Sequence, residues 1–157
     1  MSNNYHAIMK SPLGTLGIEV QGDHLLAIDF LSDARKEKKP DSPMAKEVVN
    51  QLGQYFKNPE WEFSIPLLPA DTAFRRRVRN ALNNIPAGKV RSYGAVAKKL
   101  RSAPRAVGGA CRANPVPIVV PCHRVVAQSG IGGFSGSTQG KEIMIKQWLL
   151  SHEGVEF

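Results

Sequence analysis

Residues 93–112 read YGAVAKKLRSAPRAVGGACR, and this stretch decides how the second half of the chain folds. Val96, Ala97 and Leu100 share one face of a helix running from Tyr93 to Leu100. Arg101-Ser102 then turns the chain, and a second helix follows from about Ala103 to Arg112. Helix, short turn, helix is the spacing of a helix-turn-helix. In the second helix Ala106, Gly108, Gly109 and Ala110 are small. Such a face suits either tight packing on a neighbouring helix or close approach to a narrow groove.

Charge is concentrated in the same region. The 157-residue chain has 21 Lys and Arg against 13 Asp and Glu, a net charge of +8. Between Ala70 and Arg112 lie eleven basic residues (Arg75, Arg76, Arg77, Arg79, Lys89, Arg91, Lys98, Lys99, Arg101, Arg105 and Arg112) and one acid, Asp71. That window carries +10 and leaves −2 for the remainder. Concentrated positive charge repels itself and contributes little to folding, but it suits a polyanion, and nucleic acid is the expected partner.

Working outward, Thr72 or Asp71 can cap a preceding helix with Phe74, Val78, Ala81 and Leu82 on its apolar face and four arginines on the other. The first half alternates as short strands: His6 to Met9, a Ser11-Pro12-Leu13-Gly14 turn, Thr15 to Val20, a reversal at Gln21-Gly22-Asp23, and Leu25 to Leu31. Asp33 to Pro43 reads as a polar loop. Val48, Leu52, Tyr55 and Phe56 recur at helical spacing until Asn58-Pro59. A last strand is expected at 62–65, and Pro66 and Pro69 bound it, giving domains 1–69 and 70–157. After the helix-turn-helix, Asn114-Pro115-Val116-Pro117 forces an extended path into an expected buried strand at 118–120. A glycine-rich loop (Gly130, Gly132, Gly133, Gly136) then precedes a final helix containing Met144, Ile145, Trp148 and Leu149.

A hydrophobic fraction of 42% and a charged fraction of 22% are those of an ordinary globular protein, which excludes a disordered or fibrous chain. No run approaches the roughly 18 apolar residues of a membrane span, and Met1 to Pro12 shows no secretory pattern. Two cysteines, Cys111 and Cys122, do not make a disulfide scaffold, so a reduced cytoplasmic protein is expected, nucleoid-associated if prokaryotic.

Pro121-Cys122-His123-Arg124 is the sharpest chemical feature. A thiol attacks only as thiolate and needs a neighbouring base or cation, which His123 and Arg124 supply in principle. Consecutive strand residues point to opposite faces, so pairing of Cys122 with His123 requires a turn, with the contact direct or through one water. The competing reading is a buried cysteine packing as a small hydrophobe.

The segment Pro121-Cys122-His123-Arg124-Val125-Val126 resembles the active-site signature of the O6-alkylguanine-DNA alkyltransferases, the methylated-DNA–protein-cysteine methyltransferases. The likeness extends through Arg105-Ala106-Val107-Gly108-Gly109-Ala110, Asn114-Pro115-Val116-Pro117-Ile118, Gly132-Gly133-Phe134-Ser135-Gly136 and Leu149-Leu150-Ser151-His152-Glu153-Gly154. It implies an α/β protein with a small mixed-sheet, ribonuclease-H-like amino-terminal domain and a helical carboxy-terminal domain bearing the helix-turn-helix. It also implies repair of O6-alkylguanine in double-stranded DNA by transfer of the alkyl group to Cys122, with O4-alkylthymine a further candidate substrate.

Particular residues follow from the resemblance alone. Cys122 is the acceptor, His123 activates it through a water, Glu153 holds the His123 ring, and Asn114 is a hinge before the active-site segment. Arg105 fills the gap left by a base flipped from the minor groove, Ala106, Gly94, Arg76 and Gln128 face DNA, and Tyr93 helps rotate the nucleotide's phosphate. Tyr93, Val125, Phe134 and Ser135 line the base pocket. Without the resemblance, Glu153 would be one more exposed acid in a polar tail. No cofactor, metal or membrane partner is expected. The protein is expected to act as a monomer, with cooperative binding along DNA left open.

Departures from the family pattern are Phe134 for tyrosine, Ser137 for glycine, Arg79 for tryptophan, Ala73 for proline, and an Arg101 to Pro104 turn about two residues short. An alkyltransferase-like damage sensor without transfer is the main alternative, though such proteins carry tryptophan at the cysteine position. A Cys-His hydrolase would turn over repeatedly, and a plain transcription factor leaves Cys122 and His123 unexplained.

Overall fold

A computed structural model describes residues 4–134 and 140–156 of the chain. The chain divides into two compact units, Met1–Leu68 and Pro69–Phe157. No helix among the described residues is long and apolar enough to cross a membrane.

The first unit is a three-stranded antiparallel sheet, in the order β1 (Ala7–Ser11), β2 (Gly14–Gln21), β3 (His24–Leu31), with helix α1 (Pro43–Lys57) packed on it. Both reversals are two-residue hairpins, Pro12-Leu13 and Gly22-Asp23. In the first, Ser11 Oγ accepts from Leu13 N–H and donates to Gly14 O, fastening the turn. A bulge interrupts β2 between Glu19 and Val20, where Val20 N–H donates to His6 Nδ1 at 3.2 Å.

Ser42 caps α1 by accepting from Ala45 N–H, and Pro43 follows at its first position. Ala45, Val48, Leu52 and Tyr55 bury one stripe of it. Gln51, also buried, accepts from Ser64 N–H and donates to Ser64 Oγ, which ties the expected last strand to α1. Residues 62–65 form no strand; just beyond them Leu67 makes a parallel bridge to Leu25, whose N–H donates to Pro66 O, while Pro66 and Pro69 supply no N–H to extend the ladder.

Gly17 lies at the centre of β2, and a Cβ there would sit 2.6 Å from the Tyr5 ring and 2.8 Å from Leu31 Cδ1. Gly17→Ala is therefore expected to destabilise this unit by about 1–3 kcal/mol, read as a lowered midpoint in urea unfolding.

The second unit holds α2 (Ala73–Asn83), β4 (Arg91–Ser92), α3 (Tyr93–Leu100), α4 (Pro104–Arg112), a 3-10 turn at Cys122–Arg124, β5 (Val125–Val126) and α5 (Lys141–His152). Thr72 caps α2 and Ser92 caps α3, whereas Ala103 offers α4 no capping side chain. Helices α2, α3 and α4 pack on one another, with Val78, Leu82, Val96, Ala97, Leu100 and Val107 buried. The turn between α3 and α4 is only Arg101–Ala103. Arg101 occupies the left-handed region (φ 54°, ψ 48°), at a cost of roughly 1–2 kcal/mol for an L residue.

The strand expected at 118–120 is instead a tight turn. Ile118 has φ 76°, and Val120 N–H donates to Val116 O at 3.0 Å. Val116, Ile118 and Val120 are buried as their apolarity requires, but Pro115, Pro117 and Pro121 remove the donors a ladder needs.

Candidate active site and nucleic-acid face

Two backbone features assemble the site. Strands β4 and β5 pair in parallel, Arg91 with Val125 and Ser92 with Val126, so Tyr93 emerges beside the end of the active-site segment. Glycine is needed at Gly132, where φ is +78° and a Cβ would lie 2.9 Å from Ala127 N and 3.1 Å from the Tyr93 ring. The loop is thereby pressed onto that ring, and Tyr93 OH donates to Gly133 O at 3.4 Å.

Cys122 opens the 3-10 turn and is buried, its N–H donating to Val120 O at 2.8 Å. Asn114 bridges the preceding turn by accepting from Val116 N–H and donating to Val120 O. Burial pushes the Cys122 thiol up, partly offset by hydrogen bonding from Asn114 and by the Lys146 charge. The resting sulfur is therefore a thiol, not a preformed thiolate.

His123 is wholly buried, and its Nε2 lies 2.8 Å from Glu153 Oε2. Burial lowers its pKa despite that carboxylate, so the ring is neutral near pH 7 and donates through Nε2. Its Nδ1 has no hydrogen-bond partner among the described residues, which excludes a direct bond to Cys122. Glu153, at the end of α5, is buried, contrary to its reading as an isolated residue. Burial alone would raise its pKa, but bonds from His123 and Arg124 outweigh that and hold it down at about 2.

Arg124 does not serve the thiol. Its Nε and Nη2 grip Glu153 at 2.8 and 3.1 Å while Nη1 donates to Ile85 O at 2.6 Å. Sequence reading missed Lys146. Fully buried on α5, its Nζ donates to Val125 O at 2.7 Å and Gly133 O at 2.8 Å, and lies 5.7 Å from the Tyr93 ring centroid. Burial lowers its pKa to about 8, with the two cysteines opposing. The available signal was a lysine inside the apolar run from Ile143 to Leu150. Tyr93 is raised to about 12, chiefly by burial. Cys111, near the end of α4, is likewise raised to about 12, by burial first and then by the Cys122 charge.

The structure thus brings Cys122, His123, Glu153, Asn114 and Tyr93 into one region, with Val125 buried behind the turn. Phe134 is buried, while Ser135, Gly136 and Ser137 lie outside the described residues. Arg76, Gly94, Arg105, Ala106 and Gln128 are exposed. A Cβ on Gly108 or Gly109 would meet nothing within 4 Å, so close helix packing is not what requires them. No group of His, Cys, Asp or Glu among the described residues is arranged to hold a metal ion.

Fold and site together define a class: a protein with a buried cysteine next to a carboxylate-bound histidine, built on a strongly basic helix-turn-helix. The family described as 6-O-methylguanine DNA methyltransferase matches through its ribonuclease-like domain over residues 4–69 and its DNA binding domain over residues 73–155. The methylated-DNA–protein-cysteine methyltransferase of Sulfolobus acidocaldarius is 35% identical over 96% of this chain and 93% of its own. That of Methanosarcina acetivorans is 37% identical over 96% and 98%. The crystal structure of Mycobacterium tuberculosis O6-methylguanine methyltransferase superposes with a TM-score of 0.79 at 34% identity, covering 96% of this chain and 93% of that one. The structure of Mycobacterium tuberculosis OGT in complex with DNA gives 0.77 at 35%, covering 94% and 91%. The chain belongs to the 6-O-methylguanine DNA methyltransferase family.

Proposed function

We propose that this protein repairs O6-alkylguanine in duplex DNA by direct transfer of the alkyl group to Cys122, acting as a monomer in the cytoplasm. Family membership carries the reaction class, and the geometry supports the residue roles. The observation that carries the assignment is the 2.8 Å bond from His123 Nε2 to Glu153, which leaves a buried Nδ1 lone pair with no partner among the described residues. A neutral imidazole held in that tautomer accepts a proton at Nδ1, and a bridging water satisfies both the ring and the thiol.

Because the thiol is protonated at rest, its proton passes through that water to Nδ1 as sulfur attacks the alkyl carbon. The C–O6 bond breaks with its electron pair passing to guanine, which then takes up a proton. The product is a thioether. It has no carbonyl for water to attack, so the protein reacts once.

The alkylated base is inaccessible within the stack and has to be rotated out, at an unstacking cost of a few kcal/mol. Phosphate contacts from the basic window offset that cost. Two helical glycines facing open space, each costing about 1 kcal/mol, support α4 as the element entering the minor groove. Arg105 on its first turn is the residue that fills the vacated position.

Incubation with an O6-methylguanine duplex is expected to add one methyl group to Cys122 and then stop, as read by intact mass and peptide mapping. Repeated turnover would indicate a hydrolase, and binding with unchanged mass a damage sensor. Arg105→Ala is expected to slow repair of duplex DNA at least tenfold more than reaction with the free alkylated base. Equal losses on both substrates would refute the flipping role.

A further inference from the structure

We infer that Arg101, the residue that turns the chain from α3 to α4, is a phosphate contact that sets the register of α4 on duplex DNA. The inference rests on the reading of α4 as the DNA-entering helix.

Arg101 stands where glycine would be unstrained: it ends α3 with φ 54° and ψ 48°. The turn has no slack. Arg101 N–H donates to the carbonyls of Ala97 and Lys98, Ser102 N–H donates to Ala97 O at 2.8 Å, and Pro104 starts α4 immediately after. From α2, Arg77 Nη2 donates to Leu100 O at 2.7 Å, fixing the residue before Arg101. The backbone position is therefore determined by three helices, while the Arg101 side chain is exposed.

No acid among the described residues pairs with it. The sequence contains no Asp or Glu between Asp71 and Glu142, and Asp71 pairs with Arg75. Lys98, Lys99 and Arg105 surround the same turn, equally exposed and without an ion pair among the described residues. An exposed guanidinium on a rigid, strained corner, one helical turn before Arg105 in sequence, matches a bidentate acceptor with dispersed negative charge, which a DNA phosphate is. A cation here also favours the carbonyl end of α3, but Lys98 and Lys99 already supply that in its last turn. Strain retained at a position where glycine would relieve it points to a contact made by the side chain.

The test compares wild type, Arg101→Gly and Arg101→Lys for binding to an O6-methylguanine duplex across a salt series, with thermal unfolding alongside. Arg101→Gly relaxes the backbone, so its Tm is expected to equal or exceed that of wild type. Its duplex affinity is expected to fall about three- to tenfold, and the slope of log K against log salt to shrink by about one. Arg101→Lys is expected to retain the wild-type slope. Unchanged affinity and slope in Arg101→Gly would reduce Arg101 to a helix cap and overturn the proposal. Binding by wild type that is insensitive to salt would instead overturn the underlying reading of α4 as a DNA element, a distinguishable result.

Discussion

Cys122→Ser is expected to bind alkylated duplex DNA and transfer nothing measurable, at least about 10³-fold below wild type in a single-turnover assay. The substitution preserves size and the backbone bond from residue 122 to Val120 O. It replaces a polarisable sulfur by a hydroxyl far harder to ionise, in a buried place that already pushes the thiol up. In the proposed relay, neutral His123 assists departure of a thiol proton through one water, but it is too weak a base for an alcohol in that environment. Stability is expected to change by less than about 1 kcal/mol, so loss of transfer with intact binding isolates the nucleophile. Methyl appearing on Cys111 would move the acceptor there, to the other thiol that senses the Cys122 charge.

Glu153→Gln is expected to damage both rate and stability. The carboxylate accepts from His123 Nε2 and takes a two-point grip from Arg124. Removing its charge leaves Arg124 partly buried and uncompensated, at about 3–5 kcal/mol, which corresponds to a Tm lower by about 10 °C. The His123 tautomer is also released, and transfer is expected to slow about 10²-fold.

The variant carries a distinct pH signature. In wild type the folded pKa of Glu153 lies near 2, below its ordinary 4.5. Its stabilisation is therefore complete above 4.5 and disappears as pH falls from 4.5 towards 2, a loss of about 3 kcal/mol. Buried neutral His123 adds a second slope: below its ordinary pKa of 6.5 the unfolded chain binds the extra proton, so stability begins to fall there. Urea unfolding between pH 7 and pH 3 is expected to show both slopes in wild type and to lack the lower one in Glu153→Gln.

Local pattern was a good guide wherever the deciding interactions are local. Helix α3 begins and ends where its apolar spacing indicates, and α4 follows within one residue of expectation. It failed at 118–120, where an apolar run reads as a strand but three prolines deny it partners, leaving a buried turn with Ile118 at positive φ. It failed at 62–65 for a related reason: the extended segment is held by a side chain, Gln51, instead of a neighbouring strand.

Resemblance connected Glu153 to His123, which no local property of a polar tail could do, because thirty residues separate partners that meet at 2.8 Å. Neither local pattern nor resemblance indicated Lys146, whose two carbonyl acceptors come from β5 and the glycine loop. Arg124 was assigned to the thiol by adjacency, yet its guanidinium is committed to Glu153 and Ile85.

What the amino-acid sequence determined unaided was the helix-turn-helix, the concentration of positive charge on it and a cysteine beside a histidine, since spacing and charge are properties of neighbouring residues. Tertiary structure decided the protonation states: a thiol raised and an imidazole lowered by burial, and a carboxylate held ionised by two partners. Desolvation depends on everything packed around a group, and that exists only once distant segments have met.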